Sequence, residues 1–432
     1  MHRKKRSFFP ITLLLCLLCL LLLGFRQGLF SADSSFSLPN ILHSLFSEKT
    51  QDSSLPETSC SAVESVISEA SSSVSEVSVP EESTSAASFA IPVKDSDSCY
   101  AYYYQQLPDS QQSLYHQLYS CVSERKESVT LSVTDSDTVH KVYHFVLYDH
   151  PELFWCVGSS KSQVYSDRIE FMPEYSLSAE EIEKRQEEIE QQAALCLSGL
   201  SASATDYEKV RYIYTWLINT VDYDEHASDN QNIYSSLVGH ASVCAGYAKG
   251  MQFLLNRLSV PCIYLTGTLK DGGSHAWNLV CCDGSWYQTD VTFGDPVFTN
   301  TEEMPRDNLS FAYLCCTDAQ IRGSHLPDEE VSYPACTSMD LNYYAQNGWF
   351  IWICDEADLT NRISAAIKNG EDGFTLQCAN SEVYREVCDL LLDTVIPAVS
   401  QTYMEIHDLK QVNYKYSKDA DMLIFSLFWT AN

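Results

Sequence analysis

Positive charge is scarce in this sequence, which holds 27 Lys and Arg residues against 58 Asp and Glu residues in a chain of 432. The net charge of −31 repels phosphate backbones, so binding to nucleic acid through a basic surface is not expected. The 17 cysteines are too sparse for a small disulfide-stapled protein. An apolar fraction of 45% excludes a wholly disordered chain, and the length suggests two or three domains.

Common metal and nucleotide motifs are also missing. Beyond Cys16 and Cys19 the cysteines include no Cys-x-x-Cys pair, and neither an H-E-x-x-H nor a P-loop pattern occurs. A D-x-D-x-D-G calcium loop is absent as well. We therefore predict no cofactor and no metal. Disulfides are compatible with the cysteine count if the chain works outside the cell, but the sequence favours no pairing.

The first 30 residues form a membrane signal. Basic residues at positions 3–6 precede residues 8–25, which carry no charge and would span about 27 Å as a helix. We predict that residues 1–30 are a cytoplasmic basic tip and a transmembrane signal-anchor, which places the rest of the chain outside the cytoplasm in a single-pass membrane protein. The alternative is a cleaved signal peptide and a secreted protein.

Residues 31–97 are dominated by serine and show no sustained apolar face. Such a composition cannot bury enough apolar surface to offset chain entropy, so this segment is predicted to be a disordered stalk.

Three ordered regions are predicted beyond the stalk: an N-terminal α/β region at 98–200, a core at 201–335 and a C-terminal α/β region at 336–432. In the first we expect two helices, a strand at 141–148 and a helix at 179–197 capped by Ser178 and Glu181. Thr205 and Glu208 predict the start of another helix.

A helix is predicted to begin near Cys244, because apolar residues recur behind it at helical spacing. The positive end of a helix favours a thiolate over a thiol, and its free N–H groups can face an oxyanion. Ala245 and Gly246 are small and are expected to leave room for an acyl group. A buried structural cysteine is the alternative.

Strands are predicted at 263–269, 275–282 and 285–293, and Asp283-Gly284 between the last two is a strong signal for a type I′ hairpin turn. This turn pairs Cys282 with Ser285. A slip of one residue would move every side chain of one strand to the other face.

With that register, Trp277 faces Asp290, and His275 is the diagonal neighbour of Asp290 on the same face. Diagonal neighbours lie about 7 to 8 Å apart, within reach of these two side chains. The sequence thus predicts Cys244 as nucleophile, His275 as general base and Asp290 as the group that orients the imidazole.

Three segments resemble the transglutaminase-like superfamily: VCAGYA at 243–248, SHAWN at 274–278 and WYQTDVT at 286–292. The resemblance extends upstream through 206–223, and 314–327 and 343–351 are also similar to bacterial members. The flanks at 98–200 and 336–432 resemble bacterial relatives only loosely. The resemblance implies an α+β fold with a papain-like core, in which a helix carrying the cysteine packs on an antiparallel sheet. Cys244, His275 and Asp290 match the family's three catalytic positions.

The resemblance further implies acyl transfer from peptide or side-chain amides through a thioester, which water or an amine then resolves. Bacterial members favour peptidase- or amidase-like hydrolysis, but transamidation stays open. The expected partner is a peptide or protein at the cell surface, with cationic segments favoured by the charge of this chain. The alternative function is a non-catalytic module that binds surface proteins or cell wall.

Several other residues are candidates for roles at or near this site. Asp295 competes with Asp290 for the orienting role, His240 is expected to be structural, and His325 is expected to be a solvated loop residue. Trp277 and Trp286 are either hairpin core or pocket wall. The side chain that would stabilise the oxyanion cannot be assigned between Gln231 and Tyr234.

Overall fold

The protein is described from a computed structural model, which covers residues 100–295 and 309–430. The predicted anchor at 1–30 and the predicted stalk at 31–97 lie outside the described residues. Within the described ranges, every helix is too short or too polar to cross a bilayer.

In the N-terminal region, helices surround a three-stranded antiparallel sheet of order β1-β3-β2. Its elements are α1 Tyr102–Gln105, α2 Asp109–Ser123, β1 Val129–Leu131, α3 Ser136–Asp149, β2 Cys156–Val164, β3 Ile169–Tyr175 and α4 Ala179–Ser198. The helix predicted at 179–197 is confirmed, and the Ser178 side chain accepts a hydrogen bond from the Glu181 N–H at its start.

The strand predicted at 141–148 is wrong, because this segment lies within helix α3. The Asp135 side chain caps the helix by accepting from the Asp137 N–H. The buried residues behind it recur three to four positions apart, at Val139, Val142, Tyr143, Phe145 and Val146. Short apolar runs of this kind fit either period, and tertiary packing decides between them.

The core region contains the elements α5 Asp206–Thr220, β4 Asp222–Tyr223, β5 Ala241–Ser242, α6 Cys244–Arg257, β6 Cys262–Leu269, β7 Ser274–Cys282, β8 Ser285–Thr289, α7 Val291–Gly294, α8 Asp318–Ile321, β9 His325–Pro327 and α9 Tyr343–Gln346. A π-helical turn, Ser235–Gly239, precedes β5. Strands β6 to β9 form an antiparallel sheet of order β8-β7-β6-β9, and helix α6 packs on β6 and β7. The capping box of Thr205 and Glu208 is confirmed at the start of α5.

The C-terminal region is built on a mixed sheet of order β10-β11-β13-β12. Its elements are β10 Phe350–Ile351, α10 Glu356–Lys368, β11 Gly373–Cys378, α11 Ser381–Leu390, a π-helical turn Leu391–Val395, α12 Ile396–His407, β12 Asn413–Asp419 and β13 Ile424–Thr430. The alternation of helices and strands predicted for this region is confirmed.

Two apolar cores support this architecture. The larger one combines buried side chains of the N-terminal region, such as Tyr143 and Phe171, with those of the core region, such as Leu217 and Trp277. The second lies inside the C-terminal region. The fold is therefore α+β, as the sequence predicted, with the cysteine-bearing helix packed on an antiparallel sheet.

Candidate active site

Cys244 is the first residue of helix α6, where the sequence predicted it. Extended Val243 precedes it, and the first intrahelical bonds run from the N–H groups of Gly246 and Tyr247 to the Val243 carbonyl. The N–H groups at the very start of a helix have no partner within the helix. Cys244 is partly exposed, so a ligand can reach the helix start that carries these donors.

Gly246 serves packing and not substrate access, which corrects the prediction. A Cβ on Gly246 would lie 1.9 Å from the Ser242 Oγ and 2.9 Å from the Ser235 Oγ. These two buried hydroxyls are hydrogen-bonded to each other at 2.7 Å. Glycine therefore lets the start of α6 sit directly on the serine pair.

We expect Gly246→Ala to destabilise the protein by about 1 to 3 kcal/mol, because the added methyl forces the start of α6 away from Ser242 and Ser235. Urea denaturation of the full chain measures the change. Gly239→Ala is the matched control, since a Cβ there meets only the Tyr234 carbonyl oxygen at 3.7 Å. Equal stability of the two variants would contradict the packing role.

The hairpin that carries His275 has the predicted register. Asp283 and Gly284 both have positive φ, at 50° and 84°, as a type I′ turn requires. Cys282 pairs with Ser285, and the ladder continues in step to the end of β8. The turn therefore brings His275 and the residue after β8 to the same face.

Strand β8 ends at Thr289, four residues earlier than predicted. The Asp290 side chain ends it, because Oδ1 accepts hydrogen bonds from the N–H groups of Thr292 and Phe293 at 2.8 and 3.3 Å and caps the short helix α7. Those bonds fix the carboxylate and leave Oδ2 free to face the sheet.

His275 and Asp290 form a buried pair. The Nε2 of His275 donates to the Oδ2 of Asp290 at 2.7 Å, and the two residues are 5% and 1% exposed. This contact leaves Nδ1 as the imidazole nitrogen available to the side chain of Cys244, which lies close enough to help raise the pKa of His275. The structure thus brings the three predicted residues together.

Electrostatics favour the charged form of both partners. Burial alone would lower the pKa of His275, but the Asp290 charge and the hydrogen bonds with Asp290 and Cys244 raise it from 6.5 to about 10. Burial alone would raise the pKa of Asp290, but the neighbouring imidazoles hold it well below its ordinary value of 3.8. An ionised Asp290 is an acceptor only, so the Nε2 that faces it carries the hydrogen.

His325 belongs to the same cluster, contrary to the prediction of a solvated loop histidine. It lies on β9, is 1% exposed and donates from Nε2 to the Oδ2 of Asp290 at 2.8 Å. Strand β9 reaches the site by pairing with β6, where His325 lies opposite Leu269. A histidine in a short polar segment gave no periodic signal that could have shown this.

Ligand atoms of His275, Asp290 and His325 lie within 4.8 Å of one another, close enough to be considered for a metal. Both imidazole nitrogens, however, point at one carboxylate oxygen at 2.7 and 2.8 Å. Zinc needs about 2 Å to each ligand atom, so these distances fit shared hydrogens and not an ion between the groups.

The structure gives other roles to three further candidate residues, Asp295, His240 and Tyr234. Asp295 accepts a hydrogen bond from the Tyr247 hydroxyl at 3.1 Å, away from His275. His240 ends the π-helical turn in a left-handed conformation, which is a structural position. Tyr234 donates to Glu188 at 2.8 Å.

Both tryptophans are part of the core. Trp277 is stacked on His275 with ring centroids 6.0 Å apart and donates from its indole to Gln288 at 2.7 Å. Trp277 therefore packs against one face of the His275 imidazole. Trp286 is buried beside Tyr100.

A small apolar cluster borders Cys244. Buried Ala248, Tyr264 and Ala276 form it, and Cys244 packs against it together with Tyr148. The negative charges of Asp328 and Glu330 act on Tyr148. The wall beside the sulfur is thus aromatic, with acidic residues near its edge.

The thirteen cysteines of the described ranges are all free thiols. Three of them are partly exposed, namely Cys156, Cys244 and Cys354. Burial raises the pKa of Cys156 to about 12, and burial with nearby Glu386 and Asp355 raises that of Cys354. Those two thiols are therefore poor nucleophiles near neutral pH.

Part of the chain is similar to known proteins. Residues 195–291 match the family model described as the transglutaminase-like superfamily. Kyphoscoliosis peptidase from Mus musculus is 24% identical over 147 residues, which are 30% of this chain and 22% of the mouse protein. The chain thus matches about a fifth of the length of that curated relative.

Two solved structures align over similar parts of the chain. One is a TGase, 14% identical, with a TM-score of 0.24, covering 31% of this chain and 44% of its own. The other is a candidate cysteine protease from Cytophaga hutchinsonii, 18% identical, with a TM-score of 0.23, covering 32% of this chain and 63% of its own. Residues 195–291, which contain Cys244, His275 and Asp290, thus match the transglutaminase-like superfamily.

Proposed function

We propose that this protein is a cysteine acyl-transfer enzyme that acts on peptide or side-chain amides. The observation that supports the proposal most is the buried hydrogen bond between His275 and Asp290. The imidazole of His275 faces Cys244 at the start of a helix. A nucleophile, a base within its reach and a third group that orients the base are the parts that this chemistry needs.

In the resting site the Cys244 proton has passed to Nδ1 of His275, and the reaction begins when the sulfur attacks the amide carbonyl carbon. N–H groups at the start of α6 stabilise the resulting oxyanion. The carbon–nitrogen bond then breaks as His275 gives its proton to the leaving amine, and a thioester forms. Water or a primary amine then attacks the thioester, and His275 takes a proton from the attacking molecule. The Cys244 thiolate leaves, which releases an acid if water attacked or a new amide if an amine attacked.

Cationic peptide segments are the preferred substrates in this proposal. The chain carries a net charge of −31, and the exposed residues Asp328 and Glu330 lie near the aromatic wall beside Cys244. Such a potential attracts positively charged ligands and raises their association rate. Kyphoscoliosis peptidase, whose name describes cleavage of peptides, supports hydrolysis as the first reaction to test.

We further propose the arrangement expected from the sequence: an anchor at 1–30, a stalk at 31–97, and an extracytoplasmic head with regions at 98–200, 201–335 and 336–432, in a bacterial cell membrane. A membrane-impermeant maleimide applied to intact bacteria that express the full chain tests this. Labelling of the head without lysis supports the arrangement, and labelling only after lysis contradicts it.

Iodoacetamide labelling of the full chain separates the enzyme from a non-catalytic binding module. We expect Cys244 to react at about pH 6, where an ordinary thiol with a pKa of about 8.5 reacts slowly. Mass spectrometry of peptides identifies the labelled site. If Cys156 and Cys354 react as fast as Cys244, the binding module becomes the better interpretation.

Glutamine-containing casein then distinguishes hydrolysis from transamidation. Fluorescent primary amine is added to the full chain and casein, and both amine incorporation and newly formed carboxylates are measured. Carboxylate formation without amine incorporation identifies a hydrolase. Incorporation that saturates with amine concentration identifies a transamidase.

A further inference from the structure

We propose that His325 is a positioning residue that shares the Asp290 carboxylate with His275 and thereby sets how strongly Asp290 holds the imidazole beside Cys244. The inference rests on the proposed function, since it assigns a role within the same site. Its evidence is the geometry of β9, which neither the sequence motifs nor the resemblance to the family includes.

All hydrogen-bonding positions of the Asp290 carboxylate are used. Oδ1 accepts from the N–H groups of Thr292 and Phe293, and Oδ2 accepts from Nε2 of both His275 and His325. Two donors on one oxygen divide its charge between them. Asp290 therefore stabilises the charged form of His275 less than it would if His275 were the only donor to Oδ2.

The other nitrogen of His325 is also fixed. Its Nδ1 lies 2.7 Å from the Ser324 hydroxyl, which also contacts the Ile321 carbonyl at 3.2 Å. Because an ionised Asp290 only accepts, the Nε2 of His325 that faces it carries the hydrogen, and the Ser324 hydroxyl donates to Nδ1, the nearer of these two acceptors.

Three aromatic rings and the imidazole of His275 lie around the ring of His325. Phe293 lies 4.8 Å away between ring centroids, Trp277 5.1 Å and Tyr313 5.8 Å, and His275 itself lies at 5.2 Å. The His325 side chain is 0% exposed, so this packing holds the ring against Asp290.

The groups that could confuse a pH measurement at this site can be named. Besides Cys244, His275 and His325, the charge of Asp290 acts on four other side chains, namely Tyr214, Tyr223, Tyr313 and Cys316. Burial first, and nearby negative charge second, raise the pKa of all four above their ordinary values. They stay protonated between about pH 5 and pH 10.

His325→Leu removes the second donor but keeps an apolar side chain in the aromatic surround. Because the two backbone N–H groups still fix Oδ1, Oδ2 then serves His275 alone. The imidazolium is held more tightly, so His275 loses its proton at a pH higher by about 0.5 to 1 unit. As a weaker acid it also protonates the leaving amine more slowly, and we expect kcat to fall about tenfold with KM unchanged.

The measurement is the rate of Cys244 alkylation by iodoacetamide in the full chain between about pH 5 and pH 11.5. A thiolate paired with imidazolium reacts more slowly than a free one, so a second rise in rate marks the loss of the His275 proton. His325→Gln keeps an N–H donor and is expected to restore the profile and kcat. His150→Leu is the matched control, because it breaks a histidine contact of 2.7 Å with Glu152 outside the site.

The proposal is overturned by a His325→Leu profile that equals the wild type or moves to lower pH, or by a His325→Gln profile that equals His325→Leu. Nitrogen-15 spectra of the histidines in wild-type protein test it without any variant: Nε2 of His325 must carry a hydrogen, and an Nδ1-protonated neutral ring would contradict the sharing. Alkylation needs no substrate. If the wild type labels at Cys244 but cleaves no amide, the proposed function fails while the test of His325 still stands.

Discussion

Cys244→Ala is expected to abolish amide cleavage by the full chain and to remove the fast reaction with iodoacetamide at about pH 6. Loss of a nucleophile that forms the acyl intermediate typically costs about 10⁶-fold in kcat, far more than the loss of a substrate contact. The helix start that holds Cys244 keeps its backbone in this variant, since alanine is a good helix residue. Activity assays and labelling with mass spectrometry measure the two losses.

Cys354→Ala is the control for that experiment. Cys354 is partly exposed like Cys244, but burial with the charges of Glu386 and Asp355 raises its pKa. The variant should therefore keep the fast labelling phase and full activity. Cleavage that survives in Cys244→Ala would show that the chemistry resides elsewhere, and the acyl-transfer mechanism would be wrong.

Asp290→Asn is expected to lower kcat by about 10³- to 10⁴-fold, by analogy with the loss of the orienting carboxylate in other triads. The variant keeps the shape of the side chain, but its amide NH₂ now faces the Nε2 of His275. The hydrogen of His275 then moves to Nδ1, so the imidazole cannot take the proton of Cys244. Steady-state kinetics checks the size of the loss.

The same variant changes the pH dependence of stability. Because the pKa of His275 is raised from 6.5 to about 10 by Asp290 and Cys244 against the effect of burial, the pair contributes stability that is fully present below about pH 6.5 and is lost as the pH rises through 10. Because the pKa of Asp290 is lowered from 3.8, the stability it contributes is present above that value and is lost in stronger acid.

Wild type is therefore expected to exceed Asp290→Asn in unfolding free energy most clearly between about pH 4 and pH 6.5, by about 3 kcal/mol, with a smaller excess on either side. Urea denaturation across this range measures the difference. Asp295→Asn is the matched control, since Asp295 is also buried and accepts a hydrogen bond from Tyr247. A difference that does not vary with pH would show that Asp290 acts through its shape and not its charge.

The sequence supports the prediction of the site because the decisive contacts are local. A type I′ turn at Asp283-Gly284 fixes the register of β7 and β8, and that register alone brings His275 to Asp290. Helix α6 begins at Cys244 because the apolar period starts there. Where two periods fit equally, as in α3, the sequence predicted the wrong element.

Only the tertiary structure decided what surrounds the three residues. His325 lies 35 positions from Asp290 and reaches it because β9 pairs with β6, a contact between distant segments that no local pattern encodes. The packing of Gly246 against Ser242 depends in the same way on how α6 approaches the π-helical turn before it. Spacing and turn chemistry act between near neighbours and so determined the helix start at Cys244 and the register that pairs His275 with Asp290, whereas side-chain packing between distant strands determined how the charge of Asp290 is shared.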